Sequence, residues 1–239
     1  MSDGREGLCL GLIGGLGVGS TIHYYRELVK AHAARGCVPN LLILHADVDR
    51  VLKYAANGDT TQMAEYFSHL IRRLSDAGAQ VAAIPATTPH ICASELIKLS
   101  PIPLVNLVEQ IVREIHFREL KRVALFGTRF TIETEMFGQL QGVDVVRPST
   151  DEIDFIHQAY LEIVNAGSGT KEQHQGLRRI AHTLCEREGV DAIILGGTEL
   201  SLIFNDANTD FPHIDGARLH LGAIMSQLFA EVASENNSI

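Results

Sequence analysis

Two pairs of segments in this 239-residue chain repeat at almost the same offset, and that repetition constrains the fold more than any other feature. Residues 12–21 (LIGGLGVGST) and 125–134 (LFGTRFTIET) both run from an apolar stretch through glycine and small residues to threonine. Gly14 lies 113 positions before Gly127. Residues 77–88 (AGAQVAAIPATT) and 188–199 (EGVDAIILGGTE) share a glycine, an apolar stretch, two small residues and threonine, with Gly78 and Gly189 offset by 111. Self-similarity at one period means duplicated structural units. Each apolar stretch is short and closes on glycine, as a buried parallel strand does. Helical patterns separate them, over about 20–34, 61–77 and 88–99, with strands at 41–49, 80–86 and 122–128 and a short strand and helix over 103–117. Strands alternating with helices predict an α/β fold with parallel sheets in two like halves. The halves are expected at 8–104 plus 216–239, the last helix crossing back, and at 105–215.

Ligands of such sheets collect beyond the carboxyl ends of the strands. The loops at 14–21, 46–50, 86–90, 127–131 and 197–199 should therefore meet at a cleft between the halves. Ala86-Thr87-Thr88 and Gly197-Thr198-Glu199 would face each other there, their N–H groups at helix N-termini favouring a carboxylate. Charge narrows the partners: 20 Lys and Arg against 29 Asp and Glu leave −9, which opposes a nucleic-acid backbone, and no basic cluster offsets it. No apolar run approaches the ~20 residues of a membrane span. The cysteines at 9, 37, 92 and 185 form no CxxC pair and have no metal-ligand spacing to histidine, and no HExxH occurs. A reducing, cytoplasmic setting without a secretory signal is expected, and no metal.

With these loops in view, the chain resembles the aspartate/glutamate racemase superfamily over nearly its full length. LIGGLG with STIHYY, IPATTPH, LFGTRFT, IILGGTE and DGARLH carry the likeness, five motifs in family order. The resemblance implies Rossmann-like halves, an interdomain cleft, a small amino-acid or dicarboxylic-acid ligand, no organic cofactor, and a possible homodimer. It also implies a mechanism that this chain cannot run. Family racemases place one cysteine on each face of the substrate α-carbon, one as base and one as acid, because an α-proton is too weakly acidic to leave without both. At those two positions stand Ala86 and Gly197, neither of which moves a proton.

Glu199 is the candidate replacement: a carboxylate beside apolar strand residues either takes a proton or only orients its loop. Gly14 and Gly15 bend the chain after a strand and are candidate ligand contacts. Arg50 matches a family arginine that grips a carboxylate, or else pairs with Asp47 or Asp49 at the surface. Thr87, Thr88 and Thr198 match hydroxyls that hold the α-carboxylate, with helix N-capping as the alternative. Thr128 and Thr131 are a candidate far wall of the cleft, and Ala86 and Gly197 line it. His90 and His220 are expected behind the contact layer, and Asp215 is expected to order its loop. No cysteine is nominated, and Cys92 is read as core. Three functions remain open: an isomerase-type enzyme using a non-cysteine group, a binder of acidic metabolites without turnover, and a decarboxylase or lyase that stabilises an enolate electrostatically.

Overall fold

The computed structural model describes residues 7–230. Its first half contains Leu10–Gly14 (β1), Val18–Ala33 (α1), Leu41–His45 (β2), Val48–Asn57 (α2), Thr60–Asp76 (α3), Val81–Ala83 (β3), Ala93–Leu99 (α4) and Leu104–Val105 (β4). Leu107–Phe117 (α5) leads into Arg122–Phe126 (β5), Arg129–Glu133 (α6), Glu135–Gly138 (α7), Asp144–Val146 (β6), Thr150–Ala166 (α8), Lys171–Glu188 (α9), Ala192–Leu195 (β7), His213–Asp215 (β8) and Gly216–Leu228 (α10). Every strand pair is parallel, and the sheets run β2-β1-β3-β4 and β6-β5-β7-β8. The two orders are the same once the second is renumbered, so the repeat read from the glycines is a repeat of topology. Gly78 and Gly189 end equivalent helices in the left-handed region, with φ of 104° and 64°.

The inner strands of both sheets are buried on their two faces, as those of parallel sheets are. On one face of the first sheet Met63, Phe67, Leu70 and Ile71 of α3 pack with Ile13, Ala82 and Ile84. On the other, Tyr24 and Leu28 of α1 and Leu221, Ile224 and Leu228 of α10 pack with Leu10, Leu12, Val81 and Val105. The last helix thus lies on the first sheet, while Leu107, Val108, Ile111 and Ile115 of α5 join the core of the second. Residues 231–239, assigned with the first half above, lie outside the described residues.

The stretch 41–49 corrects the sequence reading. The strand stops at His45, and Asp47 caps a new helix by accepting the Arg50 N–H at 3.1 Å. The Leu-Leu-Ile-Leu run hides this boundary, because a capping Asp inside HADVD reads equally as the end of a strand. The stretch 80–86 also shortens, to Val81–Ala83. The helix expected over 88–99 opens as a 3-10 turn at Thr88–Cys92 before becoming α-helical at Ala93.

Candidate functional site

The carboxyl ends of β3 and β7 bring the two pseudo-equivalent loops into contact. The Thr87 hydroxyl donates to the Gly196 carbonyl. In the mirrored position Thr198 Oγ1 lies 3.4 Å from the Pro85 carbonyl and 3.1 Å from Glu199 Oε2, so one proton is shared between two acceptors. Ser20 Oγ also donates to the Pro85 carbonyl, at 3.0 Å. Thr87 and Thr198 are 6% and 2% exposed. Their hydroxyls bind each half to the other, which neither the carboxylate-holding reading nor the N-capping reading anticipates. Thr88 opens its own turn, and neither Thr88–Cys92 nor Thr198–Leu202 has a side-chain cap.

These two turns correct the expectation of helix N-termini aimed at a ligand. Each is a five-residue 3-10 segment with few aligned peptide dipoles. The long helix that starts at the junction is α1, and its N-terminus is already occupied. Gly17 caps α1 with no side chain of its own. Glu199, 2% exposed, supplies an anion there: its carboxylate lies against Gly17 and accepts from the Thr198 hydroxyl at 3.1 Å and from the Tyr160 hydroxyl at 2.6 Å. A Cβ at Gly17 would stand 1.8 Å from Glu199 Oε1, so only glycine fits under the carboxylate. Burial raises the Glu199 pKa, and the hydrogen bonds from Tyr160, its own backbone, Thr198 and Ser20 pull it back. Tyr160 is held well above the usual phenol range by burial and by the Glu199 charge.

Tyr160 escapes sequence reasoning altogether. It sits within α8, 39 residues before Glu199, and nothing local to that helix distinguishes it from a core aromatic. Yet its ring fills the space a side chain at 197 would need: a Cβ on Gly197 would meet Cε2 at 2.2 Å and Cζ at 2.5 Å. Gly127 closes in from the other side, where an added Cβ would lie 3.3 Å from the Gly197 N.

The remaining candidates divide between junction and periphery. Gly15 takes φ of +88° with the His45 ring against it, and its N–H donates to Thr21 Oγ1 at 3.0 Å; a Cβ on Gly14 would strike Thr21 at 2.4 Å. Thr128 caps α6 by accepting the Thr131 N–H at 3.1 Å, and the two hydroxyls lie 2.9 Å apart. Asp215 caps α10 and accepts from Ser201 at 2.7 Å, tying the Thr198–Leu202 turn to the last helix. Arg50 is brought elsewhere. Its guanidinium centre lies 4.7 Å from the Tyr66 ring centroid, its Nε donates to the Tyr54 hydroxyl at 2.8 Å, and it lines a cavity of about 390 Å³ with Tyr54, Gln62, Glu65, Tyr66 and His69 on α2 and α3.

His90 and His220 support the junction from behind. His90 Nε2 accepts the Leu107 N–H at 3.1 Å, so Nδ1 carries the proton and donates to the Ala86 carbonyl at 2.9 Å. His220 Nε2 donates to the Val105 carbonyl at 2.9 Å and Nδ1 accepts from the Tyr24 hydroxyl at 3.1 Å. Burial lowers their pKa values to about 4 and about 3. Both are neutral, each with one nitrogen donating and the other accepting. Cys92 is fully buried in the α3-side core with its Sγ donating to the Pro89 carbonyl at 3.1 Å, and burial pushes its thiol up to about 12. Cys9 is buried at the entry to β1, the end of the strand remote from the loops.

The comparisons with known proteins agree with this architecture. The Asp/Glu/Hydantoin racemase family model matches residues 13–224, and the chain belongs to that family. It is 25% identical over 150 residues to the broad specificity amino-acid racemase RacX of Bacillus subtilis (strain 168), a match covering 61% of this chain and 63% of that one. The chain therefore spans under two thirds of that relative's length. A Yersinia pestis protein proposed to be an Asp/Glu racemase superposes with a TM-score of 0.77 at 27% identity, over 90% of this chain and 96% of the other. An aspartate racemase homologue from Pyrococcus horikoshii OT3 gives 0.74 at 25% identity, over 95% and 99%.

Proposed function

We propose that this chain handles a small amino acid or dicarboxylic acid at the junction of its halves, as a cofactor-independent isomerase-type member of its family that does not use two thiols. The observation that carries the reading is the pair of substituted positions. Ala86 has no proton to give, and at Gly197 the space for a side chain is taken by Tyr160. Ligand contacts are assigned to the backbone of Gly14, Gly15, Ala86 and Gly197 and to the hydroxyls of Thr87, Thr88, Thr128, Thr131 and Thr198, those of Thr87 and Thr198 exchanging their bonds across the junction for the ligand; Arg50, held by Tyr54 and Tyr66 on α2 and α3, is not among them. Glu199 is the carboxylate at hand for a proton, and its bonds to Tyr160 and Thr198 make orienting the 197–199 loop its first role. The reading includes a cytoplasmic setting, in keeping with four free cysteines, and a homodimer.

A second reading draws on a different observation. The Glu199 carboxylate is already engaged by the Tyr160 and Thr198 hydroxyls, which favours a protein that binds an acidic metabolite without turning it over. One experiment separates the two: NMR in deuterated water with aspartate, glutamate, hydroxy acids and malonates. Loss of the α-proton signal supports isomerase-type chemistry, and loss of CO₂ supports decarboxylation. Ligand-induced shifts without either support the binder, and no shift with any of these acids refutes the ligand class.

A further inference from the structure

Charge is distributed unevenly at the junction. The hydroxyls there are turned onto acceptors: Ser20 donates to the Pro85 carbonyl at 3.0 Å, Thr87 to the Gly196 carbonyl, and Tyr160 and Thr198 to the same oxygen of Glu199, Oε2. The arginines on the surrounding loops are committed elsewhere, and no lysine stands on those loops. Arg50 is bonded to Tyr54 and stacked on Tyr66, Arg129 is paired with Asp154 and with Glu133 at 3.3 Å, and Arg218 is paired with Asp206. His90 and His220 are buried and neutral.

Glu199 is thus a buried carboxylate with no positive side chain acting on it among the described residues. Its field is not cancelled nearby. The Tyr24 phenol, raised first by burial, is raised further by the charges of Asp215 and Glu199. The start of α1 beside Gly17 offers about half a unit of positive charge, short of a whole carboxylate. Hydroxyl donors stabilise a buried anion without neutralising it, and a buried charge is tolerated when it is both hydrogen-bonded and paired. The first condition is met within the chain. The second is left for something that enters the junction.

We propose that the counter-ion of Glu199 is the ammonium group of the ligand, so that the junction selects amino acids with neutral or basic side chains over aspartate, glutamate and dicarboxylic acids. This rests on the handling of a small acid at the junction proposed above, and narrows it. An ammonium group only donates. It therefore suits a carboxylate flanked by the Pro85 and Gly196 carbonyls, and bonds charged at both ends are the strong ones. The ligand carboxylate falls to the backbone N–H groups of the glycine loops. A second carboxylate brings another negative charge toward Glu199 with no uncommitted arginine or lysine to receive it. A dicarboxylic acid without an amino group brings two such charges and nothing that Glu199 can bind. Charge alone sets the order: lysine and alanine first, aspartate and glutamate next, malonate last.

NMR titration of the full chain with alanine, lysine, lactate, aspartate and malonate, following the amides of residues 14–21, 86–90 and 197–199, tests this. Alanine and lysine are expected to bind about tenfold or more tighter than aspartate, with malonate weaker still. Lactate carries a hydroxyl where alanine carries its ammonium group, and should lose a similar factor. Glu199→Gln keeps the shape and an acceptor for Tyr160 and Thr198 but removes the charge. It should weaken alanine and lysine by about tenfold or more and leave lactate unchanged. The comparison of alanine with lactate needs no substitution and carries the test if that variant does not fold. Lactate bound as tightly as alanine, aspartate or malonate bound most tightly, or alanine bound equally by Glu199→Gln would each overturn the assignment while the junction remains a ligand site. Amides that shift with none of these ligands would overturn the junction as a ligand site and this inference with it.

Discussion

Adding one carbon at position 197 tests whether the Tyr160 ring holds the space beside that glycine. In Gly197→Ala the new Cβ would lie 2.2 Å from Tyr160 Cε2, where ordinary contact begins at 3.4 Å. The ring must retreat by about 1.2 Å or the backbone must shift. Such overpacking costs roughly 1–3 kcal/mol. A retreat of that size also stretches the 2.6 Å bond from the Tyr160 hydroxyl to Glu199 Oε2 beyond hydrogen-bonding range. Losing one bond to a buried charged group costs about 1.5–3 kcal/mol. Since the two losses share one displacement, the expected total is about 3–5 kcal/mol rather than their full sum. Urea unfolding followed by circular dichroism measures it, with m unchanged and the midpoint lowered. The decisive comparison is a double-mutant cycle with Tyr160→Ala, which removes the obstructing ring. In that background Gly197→Ala should cost less than about 1 kcal/mol. Equal costs in both backgrounds, or a single variant as stable as the wild type, would refute the steric argument. The same reasoning predicts that a cysteine at 197 is not accommodated without first replacing Tyr160.

Three further outcomes follow from the junction and its supports. Gly17→Ala should displace the Glu199 carboxylate, which the new Cβ would overlap at 1.8 Å, and break its bonds to Tyr160 and Thr198, lowering stability by about 1–3 kcal/mol in the same assay, with faster exchange of the first α1 amides. His90, lowered to about 4 from 6.5, binds its proton more weakly folded than unfolded. Its contribution is therefore present above 6.5 and lost as pH falls from there toward 4, about 3 kcal/mol in all. His220 acts with the same sign. Urea midpoints between pH 7 and 4 should show this fall, and His90→Gln, which does not titrate, should reduce its slope while leaving the part due to His220. Iodoacetamide followed by mass mapping should label the partly exposed Cys37 and Cys185 and spare Cys92, leaving any activity intact; rapid thiol-dependent inactivation would show that a cysteine does the chemistry.

The duplicated α/β plan was legible because it is written in local chemistry. Glycines ending strands and helices recur at one period, and buried parallel strands announce themselves as short apolar runs. The site was legible only in part. Ala86, Gly197 and Glu199 stood out through their position in the two matching loops, and their positions at the carboxyl ends of β3 and β7 follow from topology. Arg50 did not join them, because the residues that hold it, Tyr54 and Tyr66, sit on α2 and α3, and the α2 helix was itself hidden behind an apolar strand.

By itself, then, the chain of residues determined which segments are strands and helices in most places and that they form two like halves, with Ala86 and Gly197 at matching places in their loops. What the remaining side chains do was decided by tertiary contact. Thr87 bonds a carbonyl 109 residues away, and Glu199 lies against Gly17, the residue before α1, in the opposite half. Tyr160 occupies a space that exists only once α8 lies against the 197 loop. Local propensity acts over a few residues, whereas a hydrogen bond or a steric exclusion between distant segments has no sequence period to betray it until the halves are packed together.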